Sequence, residues 1–458
     1  MGKGVTRMCS LQREHVPNRV GSVKSMQTSL EGIADKARRN KAHRFQDLSR
    51  LLNEECLIRT YAKLNKSSAP GVDRVTIREY GENLDANVRD LVMRLKRGGY
   101  RAKLVRRKNI PKGGGKFRPL GIPVTEDKLL QTAVGDILSA IYEQDFLPSS
   151  FGYRPGVSGV GAAKELCARL CFENVNYVVE ADIRGYFNNI DHDWMLEMLK
   201  QRVDDKAFLR LVNKWLKAGV LEENERVVNP EAGTPQGGSI SPILANVYLH
   251  YAFDLWFDKS VSKHMRGKAS FVRYADDFVC LFQNKEDAER FYAWLPVRLS
   301  KFGLELAPDK TRIMHFNCFC LDAHFDFLGY EFRWRVNRKG KPYIGPQTSL
   351  KKMRSTLKDL NQWCRKNRHL GTEKIFKLFN SKLRGHYNYF GVTGNFDRLA
   401  RFFHRALVIL KKWLNRRSQR SRCPWKRFAR LLKIFKVERP RIIKKPPRGH
   451  VQLGLFPC

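Results

Sequence analysis

Two aspartates stand side by side at positions 276 and 277, inside the apolar run Phe271-Val-Arg-Tyr-Ala-Asp-Asp-Phe-Val-Cys-Leu-Phe282. Strand-forming residues on both sides place the pair at the tip of a strand–turn–strand unit over Ser270 to Phe282. Adjacent carboxylates repel one another and lose water on burial, and a divalent cation removes that penalty. Magnesium takes oxygen ligands and keeps some of its waters. Taken alone, such a pair is usually just a solvated turn. A third carboxylate shifts the balance. Asp182 closes the apolar strand Tyr177-Val-Val-Glu-Ala-Asp-Ile183, before a turn at Gly185. Strand ends are where side chains from distant parts of a chain converge. Asp182, Asp276 and Asp277 together could hold two ions. One would help deprotonate an attacking 3′-hydroxyl and the other would steady a pyrophosphate leaving group.

Other residues suit a nucleotide. Pro111-Lys-Gly-Gly-Gly-Lys-Phe-Arg118 reads as a hairpin turn carrying Lys112, Lys116 and Arg118, cations that can meet a triphosphate or a backbone. Gln236 lies in Thr234-Pro-Gln-Gly-Gly238, where permissive glycines let backbone approach a ligand. Phe187, five residues past Asp182, could crowd or stack on a sugar, or be core. The hairpin cations could equally be solvated charges.

The elements that must position these groups follow from periodicity. Helices are expected at Met26 to Phe45, Phe45 to Leu64, Tyr80 to Leu95, Asp127 to Tyr142, Gly156 to Leu170, His192 to Lys200 and Ala207 to Lys217. Pro242 to Phe257 and Glu286 to Phe302 continue the series, and Arg101 to Ile110, Thr311 to Phe316 and Phe325 to Phe332 read as strands. After about residue 340 four further helical stretches follow: Leu350 to Cys364, Glu373 to Tyr389, Phe396 to Arg416 and Trp425 to Phe435. The plan is α+β, a mixed body followed by a basic, all-helical region.

Charge narrows the partners. The 458 residues carry a formal net charge of +41, a field that concentrates polyanions. It is uneven. From Glu331 to Cys458 there are 35 Lys and Arg against 5 Asp and Glu, a net +30. Ten scattered cysteines form no CxxC pair, which argues against a disulfide scaffold or zinc ribbon. The N-terminus has no apolar leader and no stretch approaches a membrane span, so a cytoplasmic protein with no membrane partner is expected.

The ordered motifs resemble those of bacterial group II intron-encoded reverse transcriptases, the intron maturases. The resemblance rests on Asn65-Lys-Ser-Ser-Ala-Pro-Gly-Val-Asp73, the block from Ile110 to Pro123, Phe151-Gly-Tyr-Arg-Pro155, and Ala181-Asp-Ile-Arg-Gly-Tyr-Phe187 continuing to His192. It continues in Gly233-Thr-Pro-Gln-Gly-Gly-Ser-Ile-Ser-Pro242, Tyr274-Ala-Asp-Asp277, the block from Gly303 to Thr311, and Phe327-Leu-Gly-Tyr330. Leu383-Arg-Gly-His-Tyr-Asn-Tyr-Phe-Gly391 and Trp413-Leu-Asn-Arg-Arg-Ser-Gln-Arg420 look like the thumb or maturase region.

The resemblance implies a right-hand polymerase. A basic segment 1–45 would precede fingers at 46–175, palm at 176–335, an all-helical basic thumb/maturase domain at 336–440 and an irregular tail at 441–458. It implies catalytic, metal-binding Asp182, Asp276 and Asp277, with Ile183 main chain beside the metal. Lys112, Arg118, Ile183, Arg184, Phe187 and Gln236 would surround a deoxynucleoside triphosphate with two Mg²⁺ ions, Phe187 crowding a 2′-hydroxyl. Lys310 would support the site, and Arg384, Arg416, Arg417 and Arg420 would meet nucleic acid. The implied partners are group II intron RNA, an RNA template with DNA or RNA primer, and target DNA. Many members carry a nuclease with paired cysteines; the absence of such pairs implies the nuclease-lacking, class C-like type. Three other readings share these motifs: a free-standing reverse transcriptase in phage defence, retron or repair work, a splicing-only RNA-binding protein, and an RNA-directed RNA polymerase.

Overall fold

The computed structural model describes residues 20–113, 116–222, 226–228, 232–234, 237–337, 339–417 and 423–443. Twelve strands fall within these, in three sheets. An N-terminal hairpin of β1 (Val105–Gly113) and β2 (Lys116–Ile122) comes first, then β3 (Tyr177–Asp182), β4 (Val220–Leu221) and β5 (Val227–Val228). They are followed by β6 (Ala269–Tyr274), β7 (Asp277–Phe282), β8 (Arg312–His315), β9 (His324–Phe327), β10 (Tyr330–Val336), β11 (Pro342–Ile344) and β12 (Gln347–Thr348). The central sheet has the order β6-β7-β3-β8, all antiparallel. The N-terminal hairpin joins β4 and β5 in a second sheet, and β9 to β12 form the third.

The central sheet is buried on both faces, which its sequence encodes as near-continuous apolar strands. Side chains alternate between faces. Val179, Ala181, Phe271, Phe278, Cys280 and Phe282 enter one core with the helices Thr125–Tyr142, His192–Lys200 and Lys285–Ser300. Val178, Val272, Val279 and Leu281 enter a second core with the helix Gly159–Phe172 and the C-terminal helices Leu350–Asn367, Thr372–Phe390 and Phe396–Leu414. The basic helical region therefore shares one continuous core with the back of the sheet.

Several expectations are corrected. The stretch Phe45 to Leu64 is not one helix: Asn53 accepts a bond from the Cys56 amide and starts a separate helix, Glu54–Lys63, after a short turn at Leu48–Leu51. The stretch Tyr80 to Leu95 breaks at Asn83 into Ile77–Glu82 and Leu84–Lys96. Phe325 to Phe332 is a hairpin, because Leu328 and Gly329 take positive φ (53° and 77°) and reverse the chain. The region 336–440 is not wholly helical, since β11 and β12 pair with β10 at its start. The apolar helix from Ser241 passes at His250 into a widened π turn, His250–Asp254, with a second at Phe257–Val261.

That π turn carries Asp254, which is fully buried against the fully buried Arg273 of β6. Arg273 Nε and Nη2 donate to the two carboxylate oxygens at 2.7 and 2.5 Å. Nη1 donates to the Ala275 carbonyl at 2.9 Å and to Asn246 Oδ1 at 3.2 Å, and Nη2 also donates to Ser150 Oγ at 2.7 Å. All three guanidinium nitrogens are thus engaged, which offsets the cost of taking both charges out of water. Among the described residues no helix is long and apolar enough to cross a membrane.

Removing one partner leaves the other charge buried and alone, at a cost of about 3–5 kcal/mol. Asp254→Ala is expected to lower the melting temperature by about 3–5 °C. The double variant Asp254→Leu/Arg273→Met is expected to recover much of that loss. Scanning calorimetry checks both; a single variant melting like the parent would refute the assignment.

Candidate active site

The β6–β7 hairpin turns in two residues. Tyr274 pairs with Asp277, leaving Ala275 and Asp276 as the whole turn. Ala275 sits at φ 57°, the left-handed conformation that tight hairpins demand of a central residue. The next strand over, β3, ends with Asp182 directly opposite Asp277. Antiparallel register puts the two α-carbons about 5 Å apart. Asp277 is exposed, whereas Asp182 and Asp276 are partly buried. Asp276 and Asp277 both carry polar partners.

Beyond β3 the chain stays extended. Ile183, which is buried, bridges Leu306, the Ala307 amide donates to the Asp182 carbonyl at 2.8 Å, and the Arg184 amide donates to the Glu305 carbonyl at 2.8 Å. This pairing delivers the short turn Pro308–Lys310 to the site, where the Lys310 ammonium bonds Asp182 Oδ2. The carboxylate raises the Lys310 ammonium above its ordinary pKa, first through that hydrogen bond. The exposed Arg184 side chain reaches Glu305 at 4.0 Å.

A segment from the N-terminal half lies along β6. Its Phe151 amide donates to the Arg273 carbonyl, and the Arg273 amide donates to the Ser149 carbonyl, each at 2.8 Å. Gly152 then packs on the hairpin so closely that a Cβ there would lie 2.1 Å from the Ala275 nitrogen. Asn246 Nδ2 donates to the Gly152 carbonyl at 2.5 Å. Next comes Tyr153, whose hydroxyl is pushed up to about 12, by burial first and then by Asp276, against a smaller opposing pull from Arg118. Phe187 lies between Tyr186 and Tyr153, with ring centroids 5.4 and 6.3 Å away. Asp182, Asp276, Asp277, Ile183, Arg184, Phe187, Lys310 and Arg118 are thus gathered in one region. Lys112 lies on β1, but its side chain and all of Gln236 fall outside the described residues.

The C-terminal arginines are less uniform. Arg384 is ion-paired with Glu438 at 3.2 Å. Arg416 is exposed, its guanidinium carbon 5.3 Å from the Trp413 ring centre. Arg417 donates to the Leu370 carbonyl at 2.8 Å and to Thr372 Oγ1 at 3.2 Å, so its fork ties two helices together. Burial lowers its pKa. Arg420 lies outside the described residues. Sequence reasoning missed Arg273, Asp254, Asn246 and Tyr153. A signal existed for the first two, in lone charges on otherwise apolar elements.

The donor chemistry fits a hard divalent cation. The converging ligands are carboxylate oxygens from two neighbouring strand ends, and magnesium binds through one or two carboxylates plus waters and substrate phosphates. Among the described residues no three His, Cys, Asp or Glu side chains gather into a ready-made metal group. Lys310 holds one oxygen of Asp182.

Paired carboxylates on adjacent antiparallel strands, with a cation beside them and aromatic rings nearby, form an arrangement that can serve nucleotidyl transfer. Residues 110–332 match the reverse transcriptase (RNA-dependent DNA polymerase) family, so the class is an RNA-directed DNA polymerase. The chain is 31% identical over 463 residues to the group II intron-encoded protein LtrA of Lactococcus lactis subsp. cremoris, covering 81% of this chain and 75% of that one. It is 31% identical over 332 residues to the protein YkfC of Escherichia coli, covering 65% and 86%. An uncharacterized 91 kDa protein in the cob intron of Schizosaccharomyces pombe is 28% identical over 427 residues, covering 77% and 51%. The chain belongs to the group II intron-encoded reverse transcriptases.

A divalent cation held by Asp182 would compete with Lys310 for the same oxygen. Lys310→Met is expected to lower the half-saturating Mg²⁺ concentration of primer extension several-fold, while reducing the maximal rate. Extension rates across a Mg²⁺ titration check this, and an unchanged midpoint would exclude the competition.

Proposed function

We propose that the chain works as a right hand on an RNA template. The N-terminal helices and the β1–β2 hairpin would be fingers, the central sheet the palm, and the C-terminal helices the thumb and maturase surface. The observation that carries this reading is the register of Asp182 against Asp277, with Asp276 in the adjoining turn. Asp182, Asp276 and Asp277 would hold two Mg²⁺ ions, with the main chain at Ile183 beside them. When bound, these ions supply charge stabilisation of the transferring phosphoryl group. Lys112 and Arg118 would meet the triphosphate of a deoxynucleotide, Arg184 main chain would cup it, and Gln236 would line the pocket. Phe187 would exclude the 2′-hydroxyl of a ribonucleotide by occupying its space.

The remaining charge fits a folded RNA read by its backbone and shape. In this reading the C-terminal surface, including Arg384, Arg416 and Arg420, binds group II intron RNA and assists splicing and mobility in the cytoplasm. Template with DNA or RNA primer, and target DNA, would be the other partners. Arg417 is better read as a brace within the helical region, because its donors already meet Leu370 and Thr372.

The two roles separate experimentally. Asp276→Ala is expected to abolish primer extension on an RNA template with deoxynucleotides, and to leave intron RNA affinity and splicing assistance largely intact. Extension and splicing assays on the same preparation decide it. Retained extension would refute the site, and loss of splicing at unchanged RNA affinity would refute the separation.

A further inference from the structure

Tyr153 carries features that the reading above leaves unused. Its φ is 57°, a conformation that bulky residues hold only where the surroundings impose it. Here they do. On one side Gly152 is pressed against Ala275 and held by Asn246. On the other, Arg154 donates to Glu143 Oε2 at 2.9 Å and to the carbonyls of Leu147 and Ser150 at 2.9 and 2.6 Å. Between these anchors Tyr153 is left 50% exposed, an unusual place for a large ring in a strained backbone.

The ring is not idle there. It meets Phe187 edge to face, at an interplanar angle of 76°. On its other side Phe187 meets Tyr186, which is buried and donates its hydroxyl to the Ala245 carbonyl at 2.5 Å. Phe187 therefore packs against both a buried ring and a half-exposed one. An unbraced, exposed side chain changes rotamer within picoseconds to nanoseconds.

We propose that Tyr153 is a specificity-determining positioning residue, whose ring braces Phe187 so that an incoming 2′-hydroxyl meets a wall that does not yield. The inference rests on the reading of Phe187 as the sugar gate. An edge-to-face pair of this kind contributes about two- to tenfold in an equilibrium.

The test is single-nucleotide incorporation of dNTP and rNTP by the full chain on an RNA template with a DNA primer. Tyr153→Gly removes the ring while accepting φ 57° without strain, so folding is preserved. It is expected to narrow the dNTP-over-rNTP ratio of kcat/KM by about two- to tenfold, through faster rNTP use, with the dNTP KM little changed. Tyr153→Phe keeps the ring and is expected to keep the ratio. Phe187→Ala is expected to narrow the ratio further, and adding Tyr153→Gly to it should change nothing more, because the two act as one unit. If Phe187→Ala narrows the ratio and Tyr153→Gly does not, or if Tyr153→Gly slows both nucleotides equally, the brace is refuted and the gate stands. Additive effects in the double variant also refute the brace. An unchanged ratio in Phe187→Ala refutes the gate, and the brace falls with it.

Discussion

An arginine with no access to water holds the turn that carries the carboxylates. Arg273 is a β6 residue, and the oxygens it meets come from four other places: Asp254 in the π turn, Asn246 in the preceding helix, Ser150 in the N-terminal half, and Ala275 in the turn itself. A planar five-donor fork fixes direction as well as distance, which a lysine would not do. The helix from Ser241, the segment at Ser149–Tyr153 and the hairpin are thereby locked to one another. A buried ion pair is weak evidence for net stability, since apolar packing often does as well. Its value here is geometric. The turn has only two residues, and its first carbonyl is tied to a fixed point beneath it.

The register does the rest. Asp182 and Asp277 meet because β3 and β7 are aligned residue for residue along their length, from Tyr177 against Phe282 to Asp182 against Asp277. The sheet then extends by the single bridge at Ile183 and Leu306, which is what brings Lys310 to Asp182. An ammonium at that carboxylate neutralises charge that would otherwise repel its neighbours across the hairpin. Electrostatics and register thus act together, the one making the close approach tolerable and the other making it specific.

Much of this was legible in the sequence, and the misses have physical causes. Strands β3, β6 and β7 were readable because apolar runs ended in carboxylates. Helices such as His192–Lys200 were readable because Asp191 caps them and their apolar spacing is clean. Breaks at Asn53 and Asn83 were missed because one asparagine inside an amphipathic pattern, capping as at Asn53 or not as at Asn83, does not interrupt the pattern. The π turns were missed because one extra residue per turn hardly shifts the apolar spacing of a helix that is already rich in apolar residues. The order of the central sheet, with β3 placed between β7 and β8, depends on long-range pairing that no local pattern encodes. Arg273 looked like one more cation in a basic protein. Its burial follows from Asp254, nineteen positions earlier, through a fold that had first to be known.

Strand β7 is a wall shared by two rooms. Phe278, Cys280 and Phe282 furnish one core, while Val279 and Leu281 furnish the other, which also holds the C-terminal helices. A change of volume on one face tilts the strand and is felt on the other. Changes in the C-terminal helices and changes around the carboxylates are therefore not free of each other. Substitutions on the two faces of β7 are thus expected to couple rather than add.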